Sequence, residues 1–173
     1  KIKFYKKFEI KKNSFSNFIK SYGIPEAIIF AISISDHDKA AIKKNESSKV
    51  NYDLIIKMLK QIKNYPNTKL IFLSTQMVLK GNCSFSSENA KPLPIITYGK
   101  QKLKVEKFIT KNFKNFLILR LAKVYGHKLK DNSLITNFLY KIKKNVKKFY
   151  VANDQFFNPL YIGDLIKIID YGI

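Results

Sequence analysis

Three continuous apolar runs, separated by segments with helical periodicity, constrain the fold of this chain more than any other feature. The runs occupy residues 27–33, 69–74 and 116–121, and each has the length of one strand. An uninterrupted apolar run is typical of a strand buried on both faces, whereas a half-exposed strand alternates polar and apolar residues. Because helical patterns separate the runs, the sequence predicts an α/β fold built on a doubly wound parallel sheet.

The carboxyl ends of these strands are the expected place for a functional site. In open sheets of parallel strands, ligands bind in the crevice beyond those ends. Ser33 and Thr75 lie at two of the ends, and residues 122–125 follow the third. Position alone therefore makes Thr75 a candidate site residue.

The helix predicted at residues 98–112 carries lysines on two faces. Lys102 shares an apolar stripe with Tyr98, Val105 and Ile109, because these residues recur at steps of three and four. The other lysines recur on the opposite face and suit a solvated surface: Lys100, Lys104, Lys107 and Lys111. A lysine on the buried stripe beside a tyrosine needs a chemical or a structural reason.

The chemical reason is acid–base catalysis. A phenol titrates near ~10 in water, and a cation one helical turn away favours the phenolate and lowers the pKa. Tyr98 beside Lys102 is therefore predicted to exchange a proton, with Thr75 donating a hydrogen bond to a substrate oxygen. The structural alternative is a buried tyrosine beside a lysine whose ammonium reaches water.

Charge and cysteine content limit the other classes of protein. The net charge of +21 invites nucleic-acid binding, but Arg120 is the only arginine and the lysines are spread along the chain. The densest lysine cluster, residues 141–148, suits a solvated helix face.

A single cysteine, Cys83, excludes an internal disulfide and a cysteine-based zinc cluster. Without an apolar run of membrane-spanning length or a signal peptide, we expect a soluble, cytoplasmic protein with no membrane partner.

Two smaller features receive structural interpretations. His37 lies between two aspartates, but adjacent loop positions rarely converge on one ion, so we predict no metal site. Arg120 lies inside an apolar strand, so we predict that it pairs with a buried carboxylate or with carbonyl groups.

Four motifs in register resemble those of one enzyme family. The chain resembles the extended short-chain dehydrogenases/reductases, most closely the dTDP-4-dehydrorhamnose reductase group. The matching pieces are residues 29–33 with 38–40 and 50–51, residues 73–81 (LSTQMVLKG), residues 98–106 (YGKQKLKVE) and residues 154–165 (DQFFNPLYIGDL). This resemblance implies a Rossmann-like sheet, incomplete here, followed by the start of a small C-terminal substrate lobe.

The resemblance also implies a reaction. A nicotinamide cofactor, NADH or NADPH, would deliver hydride to a keto group of a nucleotide-linked sugar, a step of dTDP-rhamnose and cell-surface polysaccharide biosynthesis. Tyr98 would protonate the carbonyl oxygen, Lys102 would lower the tyrosine pKa and hold the cofactor ribose, and Thr75 would orient the oxygen. The residues implied to contact the cofactor are Ala31, Ile32, Ser33, Tyr98 and Lys102, and those implied to face the sugar nucleotide are Gln76, Met77, Lys123, Asp154 and Gln155.

The chain departs from the family pattern in two ways. No Gly-x-x-Gly-x-x-Gly phosphate loop occurs in it, so we expect residues 1–126 to be a partial NAD(P)-binding domain that lacks its first βαβ unit. Residues 127–173 would begin the substrate lobe. A fragment of this kind is expected to bind dinucleotide poorly and to be inactive by itself. Gln76, Met77 and Lys123 also replace an aspartate, an aromatic residue and a tryptophan of the family, which leaves the particular sugar nucleotide open.

Three classes of function therefore stay open. The leading hypothesis is a nucleotide-sugar reductase, or an epimerase or dehydratase with the same catalytic residues. The second is a non-catalytic binding or regulatory relative that keeps the fold, and the third is a basic, nucleic-acid-associated domain. A homodimer is compatible with each of them.

Overall fold

The computed structural model of the chain describes residues 6–9, 14–35, 43–81, 86–127, 133–152 and 158–173. These residues form two compact units, the first from Lys1–Arg120 together with Ile173 and the second from Leu121–Gly172. This division lies near the predicted boundary after residue 126. The assignment of the two parts to cofactor and substrate stays a prediction.

The first unit is built on a three-stranded sheet in the order β1-β2-β3. The strands are β1 (Ala27–Phe30), β2 (Lys69–Thr75) and β3 (Phe116–Leu121). β1 and β2 are parallel, with Ala27 opposite Lys69 and Phe30 opposite Phe72. The middle of β2 is fully buried, at Leu70, Ile71 and Phe72. An α/β fold with parallel strands is therefore confirmed, and the continuous apolar run of β2 reflects burial on both faces.

The first helix of this unit precedes β1 in the chain, and the other helices lie between the strands. They are α1 (Phe15–Tyr22), α2 (Lys44–Ser48), a π-helical turn (Lys49–Asp53), α3 (Leu54–Ile62) and α4 (Thr97–Asn112). Ser14 stands at the N-cap of α1, although its side chain makes no capping hydrogen bond. α1 ends at Gly23, whose φ of 79° suits a residue without a side chain.

The core of the first unit lies where α3 and α4 cover the sheet. Leu59 and Ile62 of α3 and Val105 and Ile109 of α4 are fully buried and belong to one hydrophobic cluster with Phe72 of β2. The helical spacing of these side chains places them on one side of each helix. Since Val105 and Ile109 lie on the predicted stripe of α4, the face that also carries Tyr98 and Lys102 is the buried face.

The second unit contains two short strands and two helices. They are β4 (Val124–Tyr125), α5 (Leu134–Lys143), β5 (Leu160–Tyr161) and α6 (Ile162–Gly172), and β4 and β5 are parallel. Ser133 caps α5 by accepting a hydrogen bond from the Thr136 backbone N–H at 3.3 Å. His127 lies on the surface of this unit, as expected, and contacts the Tyr161 hydroxyl.

Candidate active site

Thr75 ends β2 and turns the chain away from the sheet. It is 8% exposed, and its Oγ1 accepts a hydrogen bond from the Met77 backbone N–H at 3.2 Å. This bond caps one 3₁₀ turn, Gln76–Val78. Because the capping bond uses the hydroxyl oxygen as an acceptor, the Thr75 O–H can still donate.

Gly99 brings the start of α4 against this turn. A Cβ atom at Gly99 would lie 2.1 Å from the Met77 carbonyl oxygen and 3.1 Å from Cβ of Pro94. No larger residue allows such an approach between two backbone segments. The contact places Tyr98, the neighbour of Gly99, at the same edge of the sheet as Thr75.

Tyr98 is buried in the first turn of α4, and its phenol is hydrogen-bonded to the Ser33 side chain. Burial raises the pKa of Tyr98 above its ordinary value of about 10, and the Ser33 hydrogen bond opposes that change only in part. The prediction that Lys102 lowers the tyrosine pKa is therefore wrong for this structure. Loss of water around the phenol outweighs the other influences on its pKa.

Lys102 is the charged group that this site perturbs most. Its side chain is 2% exposed, and its Nζ donates to the Leu73 carbonyl oxygen at 2.8 Å. The ammonium lies 4.7 Å from the centroid of the Phe72 ring and 5.8 Å from that of Tyr98. Burial lowers the pKa of Lys102 to about 8, while the negative charge of Glu106 acts in the opposite direction. The alternative of a lysine that reaches water is excluded by this burial.

Glu106 lies one helical turn beyond Lys102 and is 3% exposed. Its Oε1 accepts a hydrogen bond from Ser74 Oγ at 2.5 Å, and its Oε2 forms an ion pair with Arg120 Nη2 at 2.8 Å. The prediction that Arg120 meets a buried carboxylate is confirmed. The sequence analysis assigned Glu106 no role, although its position four residues after Lys102 already indicates a shared helix face.

A network of buried amides holds the segment after β1 next to α4. The Asn51 side chain accepts from the Ile34 backbone N–H at 2.7 Å and donates to the Ile34 carbonyl at 3.1 Å. It also donates to Gln101 Oε1 at 2.8 Å, and Gln101 donates to Ser47 Oγ at 2.9 Å. This network positions Ser33 beside Tyr98. Asn51 lies in one of the matching motifs, but its bonds to Ile34 and Gln101 were not predicted, because these partners are distant in the chain.

The remaining predicted site residues fall in three places. Residues 31–33 follow β1, with Ile32 half-buried and Ala31 and Ser33 exposed, while the half-buried Gln76 and Met77 follow Thr75 in the 3₁₀ turn. Lys123 is exposed and belongs to the second unit. Asp154, Gln155, His37 and residues 38–40 lie outside the described residues.

Among the residues that the structure describes, no group of three or more His, Cys, Asp or Glu side chains could hold a metal ion. In the same residues, no helix is long and apolar enough to span a bilayer.

The parallel sheet, together with a threonine at a strand end and a tyrosine and lysine one helical turn apart, defines an α/β domain of the short-chain dehydrogenase/reductase type. The chain belongs to the family described as the RmlD substrate binding domain, whose model matches residues 9–171.

Two solved structures with the same fold are named as enzymes that act on nucleotide sugars. The dTDP-4-dehydrorhamnose reductase of Bacillus anthracis, in complex with NADP, has 22% identity and a TM-score of 0.73 over 90% of this chain and 54% of its own. The UDP-glucuronic acid 4-epimerase of Bacillus cereus, in complex with UDP-glucuronic acid and NAD, has 21% identity and a TM-score of 0.76 over 92% of this chain and 52% of its own. At these identities the likeness establishes the fold, and the chain spans about half the length of these enzymes.

One similar protein is named as a subunit of another enzyme. The methionine adenosyltransferase 2 subunit beta of Danio rerio is 27% identical over 100 residues, which are 57% of this chain and 31% of that protein.

Proposed function

We propose that the protein is an NAD(P)-dependent oxidoreductase that reduces a keto group on a nucleotide-linked sugar, as dTDP-4-dehydrorhamnose reductase does. The observation that carries the proposal is the buried Lys102 ammonium, held one helical turn from Tyr98 at the sheet edge where Thr75 ends β2. A buried cation costs free energy, and such perturbed groups are concentrated at functional sites. Membership of the RmlD substrate binding domain family supports the same class of substrate.

The side chains at this edge suit the ribose of a nicotinamide cofactor. Ser33 and Tyr98 present hydroxyl groups and Lys102 presents an ammonium, which together can donate to and accept from ribose hydroxyls. The cofactor would supply the hydride for the carbonyl carbon. The solved structures in complex with NADP and with NAD support this choice of cofactor.

Tyr98 is the proposed proton donor to the carbonyl oxygen. Because burial raises its pKa, the phenol stays protonated at neutral pH and can give up the proton only as negative charge develops on the substrate oxygen. The Thr75 hydroxyl would donate a hydrogen bond to the same oxygen. Ser33 is exposed and hydrogen-bonded to the phenol, so it offers a route by which a proton from water returns to Tyr98.

The substrate side of the site is proposed by family resemblance. Gln76 and Met77 follow the strand end directly, and Lys123, Asp154 and Gln155 complete the proposed set. By the same resemblance, a neighbouring epimerase or dehydratase activity would use these three catalytic residues on another nucleotide sugar. The epimerases among the solved structures support this alternative class of reaction.

The test is Tyr98→Phe in the full-length protein. We expect kcat for reduction of dTDP-4-dehydrorhamnose to fall by about 10²- to 10⁴-fold, the usual contribution of a positioned acid. Nicotinamide absorbance measures the rate. Tyr150→Phe, which removes the hydroxyl of a fully exposed tyrosine, is the matched control and should react as the wild type does. Undiminished reduction by Tyr98→Phe would rule out the proposed proton transfer.

A non-catalytic binding relative is the second candidate, and the match to a protein named as a subunit favours it. In that case the full-length protein would bind NADP(H) but show no turnover with any of the nucleotide sugars named for the solved structures. Calorimetric titration with NADPH, followed by a turnover assay on the same sample, separates the two candidates. Steady oxidation of NADPH with a keto sugar nucleotide would exclude the non-catalytic candidate.

A further inference from the structure

Two consecutive residues of β2 are bound by two successive turns of α4. The Leu73 carbonyl accepts from Lys102 Nζ at 2.8 Å, and the Ser74 hydroxyl donates to Glu106 Oε1 at 2.5 Å. These contacts lie directly before Thr75, the last residue of β2. They join the strand end that carries Thr75 to the helix that carries Tyr98.

The carboxylate of Glu106 is also tied to the far strand of the sheet. Arg120 of β3 donates to both of its oxygens, from Nε at 3.2 and 3.3 Å and from Nη2 at 2.8 Å. The Glu106 side chain is 4% exposed and that of Arg120 is 25% exposed. A buried carboxylate with this many donors is held in one orientation, because each lost bond would leave a polar group unsatisfied.

We propose that Glu106 is a positioning residue of the active site: by binding Ser74 and Arg120 it locks α4, the helix that carries Tyr98 and Lys102, to the end of β2. The proposal rests on the proposed function for its catalytic consequence. Its structural consequence, the surroundings of the Lys102 ammonium, can be measured without turnover.

The charges around Lys102 determine the sign of each effect. α4 itself presents Glu106 and the protonated Tyr98, β3 presents Arg120 beyond Glu106, and β2 presents only the Leu73 carbonyl and the Phe72 ring. Removing the charge of Glu106 would leave the Arg120 guanidinium without its carboxylate partner. Removing the charge of Arg120 would leave the carboxylate uncompensated beside Lys102.

Two variants of the full-length protein therefore test the proposal in opposite directions. Glu106→Gln, which keeps an acceptor for Ser74, is expected to lower the pKa of Lys102 by about 1 from its value of about 8. Arg120→Gln is expected to raise it. NMR titration of protein labelled with ¹³C at lysine Cε, with the Lys102 signal assigned from a Lys102→Met sample, gives the value directly.

The control is the exposed ion pair between Asp164 and Lys167, 3.1 Å apart. Asp164→Asn should leave the Lys102 titration unchanged. If the two test variants only loosened the packing and admitted water, both would raise the pKa of Lys102 toward its ordinary value of about 10.4. A shift of the same sign in both variants, or no shift in either, would overturn the proposal, and shifts of opposite sign would support it.

The pH dependence of activity separates this proposal from the proposed function. In Glu106→Gln the alkaline limb of kcat/KM should move to lower pH by the same amount as the Lys102 titration, with activity retained below it. A purely structural role would lower activity equally at all pH values. The two proposals can also fail separately. If the Lys102 pKa shifts in opposite directions in Glu106→Gln and Arg120→Gln while Tyr98→Phe keeps full activity, the positioning role holds and the proposed proton transfer fails.

Discussion

Lys102 carries its charge in a place where water cannot reach it. Lowering the pKa of a lysine from about 10.4 to about 8 means that the folded protein disfavours the charged form of this side chain by about 3 kcal/mol relative to water. The Leu73 carbonyl, the Phe72 ring and Glu106 offset part of a larger desolvation cost. A residue that costs this much stability is expected where chemistry, rather than folding, requires it.

Replacing this lysine should therefore stabilise the fold while removing its function. Lys102 binds fewer protons in the folded than in the unfolded chain between pH 8 and about 10.4, so wild-type stability rises with pH across that window. Lys102→Met, which keeps the length of the side chain without its charge, should be the more stable protein at pH 7, by about 1–3 kcal/mol after loss of the Leu73 bond. That advantage should shrink as the pH rises to about 9.5.

Urea unfolding of both proteins at the two pH values is the measurement. Lys107→Met, at an exposed position of the same helix, is the control and should show no pH-dependent difference from the wild type. A Lys102→Met protein that is less stable than the wild type at pH 7 would contradict the desolvation account.

At the scale of elements, α4 carries most of the site and is located by three contacts. Gly99 meets the Met77 carbonyl, Gln101 joins the amide network of Asn51, and Glu106 binds Ser74 and Arg120. Each contact fastens the helix to a different part of the first unit. The position of Tyr98 and Lys102 therefore depends on the whole helix as well as on the bond from Lys102 to the Leu73 carbonyl.

Gly99→Ala tests how tightly the helix is located. Alanine favours a helix interior over glycine by about 1 kcal/mol, so helix propensity alone predicts stabilisation. The new Cβ would instead lie 2.1 Å from the Met77 carbonyl oxygen, and one of the two backbone segments must move. We expect a net loss of about 1–3 kcal/mol in the free energy of unfolding, together with reduced activity.

Thermal unfolding compares this variant with Gly81→Ala. Among the described residues a Cβ at Gly81 meets nothing within 4 Å, so that variant should unfold at the wild-type temperature or slightly above it. Equal stability of the two variants would show that the approach of α4 to the turn after β2 is looser than the structure indicates.

At the scale of the whole molecule, charge is the dominant feature. A net charge of +21 on 173 residues repels itself in the compact state more than in the expanded unfolded chain. Within the part of the chain that the structure describes, the ion pairs of Lys43 with Glu46 and of Lys167 with Asp164 are exposed. Such exposed pairs contribute little stability.

Salt should therefore stabilise this protein. Raising NaCl from about 0.01 M to about 0.5 M shortens the screening length from about 30 Å to less than about 10 Å. We expect the unfolding temperature to rise by about 2–4 °C, which corresponds to about 1 kcal/mol for a chain of this size. Sucrose at equal osmolality is the control for effects unrelated to charge, and an unfolding temperature that falls with NaCl would contradict the repulsion argument.

The elements were predictable to the extent that they depend on local pattern. The run at residues 69–74 became β2 and the run at 116–121 became β3 almost to the residue. The predicted strand at 27–33 was too long, because β1 ends at Phe30 and the Asn51 side chain takes the backbone groups of Ile34. The Asn51 side chain itself comes from an irregular part of a helix. Helix begins at Lys44 and passes through a π turn that carries Asn51.

Hydrophobic periodicity and motif spacing by themselves determined the α/β class, the parallel sheet and the placement of Tyr98 and Lys102 on the buried face of one helix, since each depends on residues close in the chain. Only the tertiary structure decided the electrostatics. Ser33, Leu73 and Arg120 reach the site from three separate segments, and the degree of burial there reversed the expected direction of the Tyr98 pKa. Desolvation is a property of the assembled surroundings, which no spacing of residues along one helix contains.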